Sequence, residues 1–135
     1  MLSTLGVSLL LACFSLPATA RSKSAPALGR DYASALAAAD RFLQAWQSHD
    51  QETGMLMLSD AAKQHSSADM LEEFFSAGSA PAYEIGRGRP FRRAHFAFPV
   101  ALYATDKGHK SIQPRASELR MIKTAKDDWV VDRLP

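Results

Sequence analysis

The chain has 135 residues, 47% of them hydrophobic and 22% charged, a composition that suits one globular domain. A formal net charge of +2 is too small to argue for nucleic acid by itself, so an electrostatic partner would have to be met by clustered charge. The single cysteine, Cys13, excludes an intrachain disulfide.

Residues 1–20, "MLSTLGVSLLLACFSLPATA", contain no Lys, Arg, Asp or Glu. Leu5 to Leu16 is a nearly unbroken apolar run of 12 residues, where a membrane-spanning helix needs roughly 20. Pro17 ends the run, and Ala18-Thr19-Ala20 has the small-x-small spacing that a signal peptidase reads. The segment is therefore expected to be a secretory signal peptide cleaved after Ala20. That places the protein outside the cytoplasm, in a bacterial periplasm or secreted, with no transmembrane segment left. Two other readings stay open. "LLAC" resembles a lipobox, which would make Cys13 the lipid anchor of a membrane-bound lipoprotein, although Phe14 is an awkward next residue. A buried N-terminal helix is disfavoured by the charged "RSKSAPALGR", residues 21–30, which reads as a flexible lead-in to a domain over 31–135.

Helical periodicity then begins. Leu36, Ala39, Leu43 and Trp46, with Phe42 beside them, form one apolar stripe, and Asp40, Arg41, Gln44 and Gln47 take the other side. Six alanines between 33 and 45 favour helix, so the first helix is predicted over about 31–48. His49-Asp50 follows. An Asp orienting a His is a possible acid–base pair. Asp is also a strong helix N-cap, and adjacent residues at a helix junction tend to point apart, so the pair reads as a corner. A short second helix is predicted over about 51–58, "SDAAKQHSSA" as a loop, and a third helix over about 68–77 behind Ser66 or Ser67, with Gly78 as its stop.

After Pro81 the period changes. "AYEIGRGR" is strand-like but broken by glycines. Residues 93–105 alternate, with Ala94, Phe96, Phe98, Val100, Leu102 and Ala104 on one face and Arg93, His95, Ala97, Pro99, Ala101 and Tyr103 on the other. A turn at 106–110 leads to a returning strand over 111–124. Leu119, Met121 and Ile122 do not all share a face of it, which leaves room for a bulge. A turn at 125–128 and a last strand over 129–134 complete an α+β domain: three N-terminal helices packed on the apolar face of an antiparallel sheet of about four strands.

"RFLQAWQSHDQETGMLMLSDAAKQ", then "MLEEFF", a long hairpin and the terminal "DDWVVDRLP" resemble the NTF2-like (SnoaL-like) superfamily. The resemblance covers about 31–135 and is nearest to small exported bacterial members of unassigned function. It implies a cone in which the helices cover a curved sheet. Phe42 and Trp46 match the aromatic face of the first helix, Asp50 the start of the second, and Trp129 the Trp of the closing strand. The superfamily holds isomerases, dehydratases and polyketide cyclases beside noncatalytic transport and accessory domains, so the fold does not choose the function. Its enzymes place Asp, His or Tyr in the cavity, and no specific catalytic motif of theirs aligns with this chain.

The candidate site residues follow. Phe42, Trp46, Phe74, Phe96, Phe98 and Leu102 would line an apolar pocket or simply form the core. His95, Tyr103 and Glu118 are the strand residues suited to proton transfer. Alternation puts His95 and Tyr103 on the outer face of the sheet, and the register of Glu118 is open. Arg87, Arg89, Arg92 and Arg93, with Phe91 between them, could bind an anion or protect a sheet edge from pairing. The four histidines, 49, 65, 95 and 109, lack ligand spacing and cysteine company, so no metal is expected, and no cofactor motif is present. The leading expectation is a noncatalytic extracytoplasmic module that binds a small apolar ligand or a partner protein. Ala97, Ala101 and Tyr103 would suit a homodimer through the outer sheet face. The second reading is a small cofactor-free enzyme of the cyclase, isomerase or dehydratase type, with a His or Glu in the cone.

Overall fold

The computed structural model describes residues 24–76, 78–105 and 113–135. The segment read as a signal peptide (with Cys13), the expected turn at 106–110 and His109 lie outside the described residues.

Helix α1 runs over Ser24–Gln47, so it starts earlier than the expected 31. Its alanines let it lie close to the sheet: Ala35, Ala38 and Ala39 are buried together with Phe42, Leu43 and Trp46. It ends in a Schellman motif. Asp50 N–H donates to Ala45 O at 2.8 Å and His49 N–H donates to Trp46 O at 3.1 Å. His49 takes the left-handed position at φ 57°, where His is one of the better-tolerated non-glycine residues. Asp50 then caps α2 (Gln51–Leu56) by accepting from Thr53 N–H at 3.0 Å. The corner reading of His49-Asp50 therefore has a complete backbone account.

The segment expected to be a loop after α2 holds a further helix, α3 (Asp60–His65), capped by Ser59. Among the described residues, four helices thus replace the expected three. Ser67 caps α4 (Ala68–Phe75). Trp46 Nε1–H donates to Phe74 O at 2.9 Å, and His49 Nδ1 lies 2.9 Å from Phe75 O. Side chains from the end of α1 thus satisfy two carbonyls at the end of α4, which have no intrahelical partner.

Among the described residues five strands follow: β1 (Ser79–Ile85), β2 (Arg89–Arg92), β3 (His95–Thr105), β4 (Gln113–Lys123) and β5 (Trp129–Arg133). All pairings are antiparallel, in the order β1-β3-β4-β5. β2 pairs with the same edge of β3 as β1, end to end with it. "AYEIGRGR" is thus the end of one strand and the start of another, parted at Gly86–Gly88. Gly88 is required there because an added Cβ would lie 2.4 Å from the Phe98 ring. Ala94, expected on the inner face of the long strand, sits instead in the β2–β3 turn with φ 59°.

The β3–β4 ladder is regular from His95↔Ile122 to Ala104↔Gln113, and the bulge lies between β4 and β5 at Arg120/Met121. Leu119 and Met121 therefore face inward with Phe98 and Phe96, and Ile122 faces outward with His95. Further shifts at Ser79/Ala82 and Pro90/Arg92 add curvature. The free edge of β5 is met by the chain after α2, where Ser59 N–H donates to Val131 O and Val131 N–H to Met57 O, each at 2.8 Å. The result is helices on the concave face of a curved, unclosed antiparallel sheet. The buried core contains Phe42, Leu43, Phe75, Phe98, Leu119, Met121 and Val131.

Candidate functional site

The aromatic residues expected to line a pocket are packed against one another. Phe42 stacks on Phe74 at 6.0 Å and meets Phe75 edge-on at 5.8 Å, and Phe96 lies 6.2 Å from Phe98. Phe42, Trp46, Phe96, Phe98 and Leu102 are all at most 5% exposed. These residues fill the interior of the cone, and Phe74 packs partly buried against them.

Space opens at the side, between α1 and the edge strand β1. A groove of about 440 Å³ is lined by Ala33, Leu36, Ala37 and Asp40 of α1 and by Tyr83 and Ile85 of β1. The groove is shallow and largely open to solvent, with a volume in the range typical of small-molecule sites. Both elements follow from local rules. Ala33, Leu36, Ala37 and Asp40 recur at helical spacing on one side of α1. Tyr83 and Ile85 pair with Leu102 and Val100, so they share the inner face of the sheet.

One polar network sits on the groove wall. Tyr83 Oη donates to Asp40 Oδ1 at 2.7 Å, and Gln44 Nε2 donates to Asp40 Oδ2 at 2.7 Å. Partial burial, reinforced by the Asp40 hydrogen bond and charge, pushes the Tyr83 phenol up to about 12. Tyr83 is therefore neutral at physiological pH with its one proton committed to Asp40. Asp40 was read only as part of the polar side of α1, and Tyr83 only as part of a broken strand. The available signal was an ionisable residue following Leu36 and Ala37 at four- and three-residue spacing.

The three residues suited to proton transfer lie on the outer face. His95 stacks edge-on with Phe91 at 5.3 Å, and its Nδ1 lies 2.8 Å from Arg93 O. Tyr103 pairs with Ala82, and partial burial and then Glu84 raise its phenol above the ordinary range. Glu118 sits opposite Pro99 and is bound at 2.9 Å by both Arg120 Nε and Arg89. The Arg120 hydrogen bond, then the charges of Arg89 and Arg120, hold its carboxyl below the usual range. The register thus turns Glu118 away from the cone.

Arg89 and Arg120 flank Ala97 in the two ladders and meet at Glu118 across β3. Ala97 is consequently only 1% exposed, so of the outer-face trio Ala101 and Tyr103 stay accessible. Arg92 and Arg120 each place a guanidinium over the Phe91 ring, at 5.3 and 5.2 Å. Arg87 and Arg93 are exposed at the two ends of β2. The arginines therefore cluster in space, but Arg89 is already neutralised by Glu118.

A second hollow, of about 380 Å³, lies at the helix corner between His49, Gln51, Glu72, Phe75, Ser76 and Gly78. Its His49 and Ser76 are engaged in backbone hydrogen bonds. Among the described residues no group of three His, Cys, Asp or Glu side chains could hold a metal ion. No described helix is long and apolar enough to cross a membrane.

No family model and no curated protein matches the chain. Among solved structures, it is similar to the crystal structure of a ketosteroid isomerase-like protein from Erwinia carotovora atroseptica SCRI1043. The two share 23% identity with a TM-score of 0.56, over 76% of this chain and 92% of that one. The likeness shows the fold, helices over a curved antiparallel sheet.

Proposed function

Taking the chain as an NTF2-like cone, we propose that it is a noncatalytic extracytoplasmic module that binds a small apolar ligand in the groove between α1 and β1. The carrying observation is the groove itself, whose walls of Ala33, Leu36, Ala37 and Ile85 surround one fixed polar pair, Asp40–Tyr83. Such a mixture of apolar lining and few placed polar groups is what small-ligand sites share. The aromatic interior is closed by its own packing, and His95, Tyr103 and Glu118 face the other way. The signal read in residues 1–20 supports export. A partner protein, including a second copy, would meet the outer face at Ala101 and Tyr103.

A cyclase-, isomerase- or dehydratase-type activity is the second reading, and Asp40 is the observation that favours it, as a carboxyl side chain on an otherwise apolar wall. Proton transfer by Asp40 would use the lone pairs that Tyr83 and Gln44 leave free on its oxygens.

Titration of residues 21–135 with the neutral dye N-phenyl-1-naphthylamine tests the binding reading. The expected result is a saturable fluorescence rise that Ala33→Leu/Ala37→Leu, which fills the groove, reduces at least tenfold without altering the circular dichroism. Equal binding by that variant contradicts the groove. N-terminal sequencing of the protein recovered from a bacterial periplasm tests the export reading: a chain beginning at Arg21 supports it, and an intact Met1 in the cytoplasm contradicts it.

A further inference from the structure

We propose that the groove selects apolar molecules headed by a hydrogen-bond donor, a protonated amine first and an alcohol next, and rejects carboxylate heads. The inference rests on the groove reading above and names its ligand class.

It comes from counting protons and lone pairs. A phenol carries one donor, and the Tyr83 O–H is spent on Asp40 Oδ1 at 2.7 Å. A carboxylate offers about four lone-pair sites and no donor. Two of those sites on Asp40 are used, by Tyr83 and by Gln44. What the pair still presents is acceptor capacity alone: the remaining lone pairs of Asp40 and the Tyr83 oxygen, which the Gln44 amide also approaches as a donor. The other lining side chains, Ala33, Leu36, Ala37 and Ile85, carry no polar atom. Asp40 is thus the one charged side chain among the lining residues, and it is negative.

Each head group then meets a different fate. An ammonium head gains a charge-assisted hydrogen bond to Asp40 and a second to the Tyr83 oxygen. An alcohol donates once. A carboxylate finds no free donor among the lining side chains, the nearest being the second N–H of the neighbouring Gln44 amide, and is repelled by Asp40. Rotating the Tyr83 O–H toward an anion would free a proton for it, but only by removing the donor that holds Asp40 Oδ1.

The test is displacement of N-phenyl-1-naphthylamine by decylamine, decanol and decanoate at neutral pH, each below its micelle concentration. Decylamine is expected to displace the dye at a concentration at least tenfold lower than decanoate, with decanol between them. Asp40→Asn, which keeps the shape and removes the charge, is expected to bring the amine and the carboxylate within about threefold. Raising the salt should narrow the same gap in the wild type, a readout that needs no variant. Decanoate displacing as well as decylamine, or a gap unchanged by both Asp40→Asn and salt, overturns the inference while leaving the groove reading in place. Failure of all three to displace a dye that the groove variant also still binds overturns the groove reading and this inference with it.

Discussion

Replacing Gly54 with alanine separates helix propensity from packing, because the two predict opposite signs. In a helix interior alanine is favoured over glycine by about 1 kcal/mol. Gly54 is buried in α2, and a Cβ there would lie 2.2 and 2.3 Å from Cζ and Cε1 of Phe75. Phe75 cannot swing aside freely. It is 2% exposed and held edge-on by Phe42 at 5.8 Å and Phe74 at 5.1 Å. Overpacking of this kind costs about 1–3 kcal/mol, so after the propensity gain the variant should lose about 1 kcal/mol. For a domain of this size that is a fall in Tm of about 5 °C. Gly29 is the internal control, since it lies in α1 with nothing within 4 Å of an added Cβ. Gly29→Ala should therefore raise Tm, by up to about 1 kcal/mol of stability. Thermal unfolding followed by circular dichroism reads both. Adding Phe75→Leu to Gly54→Ala should cost less than Phe75→Leu costs alone, a positive coupling between the two sites. A Gly54→Ala protein stabilised as much as Gly29→Ala would refute the packing of α2 on Phe75.

Other consequences are equally direct. The Tyr83 phenol is raised from 10 to about 12, so the folded state keeps a proton that the unfolded state releases. Its contribution is fully present below about pH 10 and is lost as pH climbs toward 12; Tyr83→Phe should flatten that part of the stability–pH curve, measured by urea unfolding at stepped pH. Ser59 caps α3 by accepting from Ala62 N–H at 3.0 Å and donates to Asp132 Oδ1 at 3.0 Å. Ser59→Ala should lower the unfolding free energy by about 1–2 kcal/mol, and no change would show that the cap is replaced by water. Ala101 and Tyr103 are the accessible part of the proposed self-contact, so Ala101→Arg should shift a dimer toward monomer in light scattering. A wild type that is monomeric at high concentration rejects that contact.

The sequence was most legible where large residues carried the period. Phe42, Leu43 and Trp46 announce α1, and Phe96, Phe98, Val100 and Leu102 announce β3 and its buried face. Alternation also placed His95 and Tyr103 on the outside. Helix α3 was missed because its six residues, DAAKQH, bury only Ala62 and so show no apolar stripe. The one cue was Ser59-Asp60, a cap followed by an acidic first turn. The extra strand β2 was hidden by Gly86 and Gly88, which read as a break in one strand and not as a boundary between two. The side of Glu118 depends on the β3–β4 register, a nonlocal fact. The same holds for the groove. Asp40 and Tyr83 are 43 residues apart, and neither periodicity nor a motif joins them until β1 pairs with β3 and α1 lies across the inner face.

The central claim is that the ligand site is the groove at the side of the cone, and a nuclear magnetic resonance titration tests it most directly. With N-phenyl-1-naphthylamine added to labelled residues 21–135, the largest shift changes should fall on Ala33, Leu36, Ala37, Asp40, Tyr83 and Ile85. Changes centred on Phe91 and its arginines, or on the corner around His49 and Glu72, would contradict the account.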